Sequence, residues 1–341
     1  MMSGRSSTIS IVMPVRNAAA TLDAAIGSIR AQTLDSWELI IVDDGSTDGG
    51  LRQAEDHARV DPRIRVLSTP PRGIVSALID GCAAATTPVI ARMDADDLMR
   101  PRRLQRQWEF LDRHHGVDVV GTQVDFGGDP ERAAGLAAYI EWSNGLLTSE
   151  QIRLARFVEA PVIHPTVAFR RSLIDSVGGY RETGEAEDYE LWLRWMEAGV
   201  EFGKVPERLL VWNDPPTRLT RTDPHYATTQ HARLRCRYLS AQLRSRDERR
   251  AIWLWGAGRV TRRRFDDLAA HGVTISGFVD IDPRKIGQRI DDRPVVAPEK
   301  IPPPSEVFVI AGVSARGAGT LIRDRLLAQG RREGTDFLLA G

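Results

Sequence analysis

The segment Val89-Ile90-Ala91-Arg92-Met93-Asp94-Ala95-Asp96-Asp97 constrains the chain more than any other. A strand-like apolar run stops abruptly at three carboxylates within four residues. Carboxylates at that density repel one another unless positive charge lies between them. A hard divalent cation, Mg²⁺ or Mn²⁺, meets that need, because both prefer oxygen ligands and leave coordination positions for phosphate oxygens. Taken alone, the pattern reads equally well as a solvated acidic turn. The placement of the other acidic clusters decides between the two.

Apolar runs alternate with helical spacing through the first part of the chain, the pattern of a mostly parallel sheet with covering helices. Residues 9–13, 39–42, 64–67, 88–93, 117–121 and 166–170 read as strands. Residues 19–32, 73–85, 103–114 and 187–198 carry apolar side chains at helical spacing, and Gly199 stops the last of them. Two of the strands end in acids, at Asp43-Asp44 and at Asp94 to Asp97. In open parallel α/β sheets, ligands bind beyond the carboxyl ends of the strands, so both clusters are expected to face one crevice. Acids with only a solvating role would instead scatter over helices and loops. Residues 127–160 give no sharp signal.

Pro215-Pro216 breaks the chain, and a basic helical stretch follows over residues 225–250. Seven arginines between positions 233 and 250 face only Asp247 and Glu248, a net of +5. Such a helix can touch acidic membrane lipids; a solvated linker is the simpler expectation. Residues 252–255 then read as a strand, Gly256-Ala257-Gly258 as a turn, and Val260, Phe265 and Leu268 as one face of a helix. Residues 273–279 read as a second strand ending at Asp280. A strand, glycine turn, helix and strand with an acid about 20 residues on outlines a Rossmann motif. Thr261 departs from it, standing where tight docking needs Gly or Ala. The expected organisation is an α/β domain over 1–224, a basic helical linker over 225–250 and a smaller Rossmann-like α/β domain over 251–341.

With 341 residues the chain has room for two domains. A formal net charge of zero gives no global field for nucleic acid. Only Lys204, Lys285 and Lys300 are lysines, so arginine-rich patches carry less weight here than elsewhere. Cys82 and Cys236 match no metal-ligand spacing and fit free thiols in a reducing compartment. No apolar run nears the roughly 20 residues of a membrane span, and Met1 to Ser7 lacks the apolar core of a signal peptide. A cytoplasmic location is expected, with peripheral attachment at the inner face of a membrane left open.

Four segments occur in an order and spacing that closely resemble a family 2 glycosyltransferase of the GT-A fold, over residues 8–213. They are Ser10-Ile11-Val12-Met13-Pro14-Val15-Arg16-Asn17, Ile41-Val42-Asp43-Asp44-Gly45-Ser46-Thr47-Asp48, Ala91-Arg92-Met93-Asp94-Ala95-Asp96-Asp97 and Glu187-Asp188-Tyr189-Glu190-Leu191-Trp192. Pro101, Arg103-Leu104, Gln107, His164-Pro165-Thr166 and Gly178-Gly179-Tyr180 are similar to family segments too. The resemblance implies inverting, metal-dependent transfer of a sugar from a nucleoside diphosphate sugar, UDP-linked in the first instance. The acceptor is a glycan or glycolipid hydroxyl, in bacterial surface polysaccharide or glycolipid assembly.

Residue by residue, the resemblance implies that Pro14, Val15 and Arg16 end the first strand beneath the nucleobase, and that Asp43 or Asp44 accepts a hydrogen bond from base or ribose. Arg72 would contact the diphosphate. Asp96 would ligate Mg²⁺ or Mn²⁺, with Asp94 and Ala95 near ribose or metal and Asp97 in support. His164 would be a metal ligand or a diphosphate contact, with a structural role as its alternative. Asp188 would be the general base, with Glu187 beside it. The helix start that carries it favours a carboxylate. Trp192 and Trp195 would line an acceptor site, or pack in the core.

Trp255-Gly256-Ala257-Gly258 and Asp280-Ile281-Asp282-Pro283-Arg284-Lys285-Ile286-Gly287 resemble the Rossmann-like N-terminal domain of bacterial sugar acyltransferases. That implies a phosphate held at a helix start, or else a structural or homodimerising role. Two other function classes compete with the transferase. A noncatalytic nucleotide-sugar-binding regulator has no use for the Glu187-Asp188 pair, and a nicotinamide-dependent oxidoreductase lacks a recognisable Tyr-Lys pair.

Overall fold

Six of the seven residues of β1 (Ile9–Val15) and all eight of β2 (Trp37–Asp44) are buried, which is why both segments read as continuous apolar runs. With β3 (Ile64–Thr69) and β4 (Val89–Arg92) they form a parallel block in the order β3-β2-β1-β4. The computed structural model describes residues 8–341 except positions 217 and 247; the reading of Met1 to Ser7 therefore lies outside the described residues. β5 (Leu98–Met99), β6 (Val119–Phe126), β7 (Ala168–Arg170) and β8 (Phe202–Trp212) extend the block to an eight-stranded sheet, β3-β2-β1-β4-β7-β6-β8-β5. β7 runs antiparallel to β4 and β6, and β5 antiparallel to β8, so the sheet is mixed.

The register fixes where this sheet presents its chemistry. Val15 lies opposite Asp43, and Val12 opposite Arg92. Strands β1, β2 and β4 therefore release their chains at one edge, and the two acidic clusters stand at that edge. The helix Ile74–Ala84 packs on β1 and β2 so closely that a Cβ at Gly81 would come within 2.4 Å of Val12. Helices Ala19–Arg30 and Arg103–Arg113 bury the apolar residues expected of them, among them Leu22, Ile26, Ile29, Leu104 and Leu111.

Several elements lie outside the expectations. Gly50–Val60 and Ala134–Asn144 are helices, and β8 is eleven residues long. Lys204, Pro206, Glu207 and Arg208 interrupt the apolar pattern of β8 and hid it.

The second compact unit comprises Arg153–Pro161 and Asp223–Gly341. β9 (Ala251–Trp255), β10 (Ile275–Val279), β11 (Arg289–Ile290), β12 (Arg293–Val296), β13 (Val307–Ala311) and β14 (Phe337–Leu339) make a second sheet, β11-β12-β10-β9-β13-β14. All its pairings are parallel except the β11–β12 hairpin.

The stretch over 225–250 is not a solvated linker. Its helix, Thr228–Ser245, buries Ala232, Leu234, Leu239 and Leu243 within the second unit. Arg235 is buried and donates to the carbonyls of Ala340 at 2.9 Å and Val158 at 3.1 Å, while Arg244 and Arg246 donate to the carbonyls of His271 and Gly334. These three arginines are thus spent on backbone carbonyls, while Arg233, mostly exposed, faces Asp267 at 3.5 Å. No helix among the described residues is long and apolar enough to cross a membrane. Cys82 and Cys236 are both free and buried.

One buried cation yields a stability test. Lys204 on β8 is 2% exposed and donates to the carbonyl and hydroxyl of Ser143. Burial pushes its ammonium down to about 7, against about 10.4 in an unfolded chain. Between those values the unfolded state binds more protons, so this residue makes stability rise with pH. Lys204→Met is expected to gain most over wild type near pH 7, with the gain shrinking toward pH 10 in urea titrations. A gain that does not vary with pH would contradict the assignment.

Candidate active site

Asp43 and Asp44 are both almost fully buried, at 1% and 3% exposure, yet they are differently employed. The chain turns at Gly45, whose φ of +71° favours glycine and whose Cβ would lie 2.7 Å from Pro71. That turn brings the loop before the helix Ile74–Ala84 over β2. The Asp44 carboxylate accepts the N–H of Arg72 at 2.6 Å and of Gly73 at 2.9 Å, and pairs with Arg16 at 3.3 Å. Arg72 offers that N–H, while its guanidinium pairs with Asp80. Asp43 uses one oxygen to accept the Ser46 N–H at 3.2 Å; its other oxygen is buried with no hydrogen-bond partner. A bare buried acceptor costs about 1–3 kcal/mol, a cost that a donor N–H from a ligand would relieve. At the end of β1, Pro14 is half-buried and Val15 buried.

Asp94, Asp96 and Asp97 each turn one carboxylate oxygen into a group spanning no more than 4.8 Å, and Ala95 between them is buried. The loop that holds them is stitched from three directions. Asn213, just after β8, donates its backbone N–H to Asp97 at 2.9 Å and its side-chain amide to the Asp96 carbonyl at 2.6 Å. Buried Arg92 pairs with Asp94. Arg103, wholly buried, donates to the Arg92 carbonyl at 2.8 Å and to Gln107 at 3.1 Å.

Burial, and then the neighbouring Asp94 charge, push the Asp96 carboxyl up to about 6. Burial, Asp94 and Asp96 together hold Asp97 well above the usual carboxylate range. Burial draws Arg103 down to about 9. It opposes the charge on Arg92 as well, but Asp94 outweighs it and keeps that guanidinium above its ordinary value. The second Asp97 oxygen is buried without a hydrogen-bond partner. Three clustered carboxylates, one with a bare oxygen, fit a hard divalent cation in both donor type and charge.

Asp188 lies in the first turn of the helix Glu187–Glu197, half-buried, with one oxygen accepting the Tyr189 N–H at 2.7 Å. Beside it Glu187 is buried and faces His164 Nδ1 at 3.6 Å, while His164 Nε2 bonds the Tyr180 hydroxyl at 2.7 Å. His164 is thus engaged on both ring nitrogens and is not a member of the acidic group. It forms a buried bridge between Tyr180 and the start of the Asp188 helix.

Trp192 and Trp195 are both 0% exposed, with ring centroids 5.7 Å apart; Trp192 packs on His164 and Phe202, and Trp195 on Phe169. Neither presents a face to an acceptor, and both are core residues. The Trp195 indole donates to the Gly178 carbonyl at 2.9 Å. Arg194, paired with Glu190 at 3.0 Å, donates to Gly178 and Gly179. This explains the Gly178-Gly179-Tyr180 segment, which the helix clasps from below.

Arg92, Arg103 and Asn213 had no assigned role at the outset. The signal for Arg103 lay in its helix: with Gln107 it shares the face of Leu104 and Leu111, where only a paired polar group survives burial. Asn213 follows an unrecognised strand and left no such trace. The split between Asp43 and Asp44 is testable. Asp44→Ala strands two loop N–H groups and should cost about 2–3 kcal/mol in urea denaturation. Asp43→Asn keeps an acceptor for Ser46 and should stay within about 1 kcal/mol of wild type. Equal losses would refute the split.

The Glycosyl transferase family 2 profile matches residues 10–178. EpsE of Bacillus subtilis (strain 168), named as a glycosyltransferase, is 33% identical over 217 residues, covering 59% of this chain and 71% of EpsE. The amylovoran biosynthesis glycosyltransferase AmsE of Erwinia amylovora is 31% identical over 193 residues, covering 55% of this chain and 69% of AmsE. Among solved structures, residues 1–349 of Staphylococcus aureus TarS in complex with UDP-GlcNAc superpose with a TM-score of 0.56 at 15% identity, over 77% of this chain and 72% of that one. The mannosyltransferase PcManGT of Pyrobaculum calidifontis, in complex with GDP-Man and Mn²⁺, gives 0.52 at 19% identity, over 71% of this chain and 65% of that one. At such identities the structures speak for the fold alone, which is the GT-A type. The sequence matches speak for descent, and by them this chain belongs to glycosyltransferase family 2.

Proposed function

We propose that the first unit moves a hexosyl or N-acetylhexosaminyl group from a nucleoside diphosphate sugar, UDP-linked in our reading, to a hydroxyl of a glycan or glycolipid acceptor. Transfer proceeds with inversion and with Mg²⁺ or Mn²⁺ bound. The observation that supports this most is the gathering of Asp94, Asp96 and Asp97 within 4.8 Å, at the sheet edge that also carries the bare Asp43 oxygen. Asp96 holds the ion, with Asp94 beside it and Asp97 in support. A divalent cation there supplies positive charge to the departing nucleoside diphosphate.

The chain's own groups do the rest. Asp43 accepts a hydrogen bond from an imide N–H of the nucleobase, a donor that uracil provides, over the floor made by Pro14 and Val15. Arg16 and the Arg72-Gly73 backbone keep Asp44 occupied, so the loop that flanks the donor stays in place. Asp188 takes the proton from the acceptor hydroxyl as that oxygen attacks the anomeric carbon. The new glycosidic bond forms while the bond to the phosphate oxygen breaks on the opposite face, which inverts the centre. Glu187 and His164 hold the first turn of the Asp188 helix. The amylovoran name of AmsE supports a place in surface polysaccharide assembly.

Nucleoside diphosphate release from a panel of sugar donors, with Mn²⁺ present, tests this. Asp188→Asn should lower turnover by about 10²–10⁴-fold with little change in donor KM, as loss of a general base does. Asp96→Ala should abolish release, and chelator should do the same to wild type. Full activity of Asp96→Ala in chelator would sink the metal assignment, and turnover by Asp188→Asn at the wild-type rate would remove the base.

A further inference from the structure

Strands β10, β9 and β13 are parallel neighbours in the second unit, so the loops leaving their carboxyl ends emerge side by side. Each connection carries the same surface pair, an arginine and a large apolar residue, in the loop itself or in the first turn of the helix it enters. Arg259 and Val260 follow β9, Ile281 and Arg284 follow β10, and Arg316 and Leu321 follow β13. Val260, Ile281 and Leu321 are 68%, 68% and 72% exposed. One exposed apolar side chain needs no explanation, but one at the carboxyl end of each of three adjacent strands makes a pattern.

These segments also carry an excess of cations, with Asp291 of the adjoining β11–β12 turn facing Arg262 at 3.7 Å. Residues 256–264, 280–289 and 312–321 contain eight arginines and lysines against two acids, Asp280 and Asp282. Both acids are engaged within the loops: Asp280 accepts the Ala257 N–H and the Lys285 ammonium, each at 3.0 Å, and Asp282 pairs with Arg284 at 3.1 Å. Glu299, in the crossover after β12, is paired with Arg325. Among the described residues, the side chains of Arg259 and Arg316 make no ion pair or hydrogen bond.

We infer that this edge of the second unit docks on an anionic lipid surface. The arginines meet the phosphate headgroups and the three apolar tips enter the interface beneath them. Charge complementarity selects the occupant. An acidic bilayer presents a plane of negative charge over an apolar layer, whereas a soluble anion offers nothing to Val260, Ile281 and Leu321. Arg235 of the helix Thr228–Ser245 has no part in it, since its guanidinium is buried on carbonyls. Docking of this kind is independent of the transfer reaction.

Co-sedimentation of the full chain with vesicles tests it, using phosphatidylcholine alone or mixed with phosphatidylglycerol. Wild type should pellet with the mixed vesicles, less at high salt, and not with the neutral ones. Arg259→Glu with Arg316→Glu should weaken partitioning by roughly 25-fold or more, at roughly fivefold for each basic residue lost. Val260→Ser with Leu321→Ser should also weaken it, and thermal unfolding midpoints should match wild type in both. The proposal is overturned if wild type stays in solution, if it binds neutral vesicles equally, or if the arginine variant still pellets. Release by millimolar inorganic phosphate at constant ionic strength would also overturn it, marking a small-anion site instead.

Discussion

Asp94, Asp96 and Asp97 bring three negative charges within 4.8 Å of one another, at a place where burial has removed much of the water that would screen them. Arg92 and Arg103 lie buried behind them, one paired with Asp94 and the other fastened to the Arg92 carbonyl. Arg218 also acts on Asp96 through its charge, yet the carboxylates still repel one another. Burial first, and then that repulsion, is why Asp96 and Asp97 hold their protons above the usual carboxylate range. A folded chain tolerates such an arrangement when something else completes it, and a divalent ion carrying a diphosphate completes it in both charge and ligand type.

The sheet order turns this local tension into a site. Because β1 lies between β2 and β4, the Asp43 turn and the acidic loop leave the same edge. Asn213 ties the end of β8 to that loop, so the antiparallel half of the sheet also bears on it. The Glu187–Glu197 helix is anchored by contacts that never reach solvent: Trp192 and Trp195 in the core, and Arg194 on the Gly178 and Gly179 carbonyls. Asp188, half-buried at its start, is carried on a well-anchored helix, which suits the role proposed for it, since a general base must meet a hydroxyl in one orientation.

Much of this was legible in the sequence, for physical reasons that differ by element. A strand buried on both faces reads as an apolar run, so β1 and β2 stood out, and the acids at the ends of β2 and β4 marked one edge of the sheet. The division of labour between Asp43 and Asp44 was hidden, because it depends on which of them meets the Arg72 and Gly73 N–H groups, nearly thirty residues away. Trp192 looked like an acceptor platform since the helix it sits on is buried almost all round, which spacing alone cannot reveal. The basic helix misled in the opposite sense. Seven arginines suggest solvent, yet Arg235 spends its charge on carbonyls from two distant segments.

The central claim is that the carboxylates after β4 hold a divalent cation that in turn holds the donor's diphosphate. Calorimetric titration of UDP into the full chain, with Mn²⁺ and then with chelator, tests it most directly. The account predicts binding at least tenfold tighter with Mn²⁺ than in chelator for wild type, and no difference between the two conditions for Asp96→Ala. Equal UDP affinity with and without the metal in wild type would contradict it.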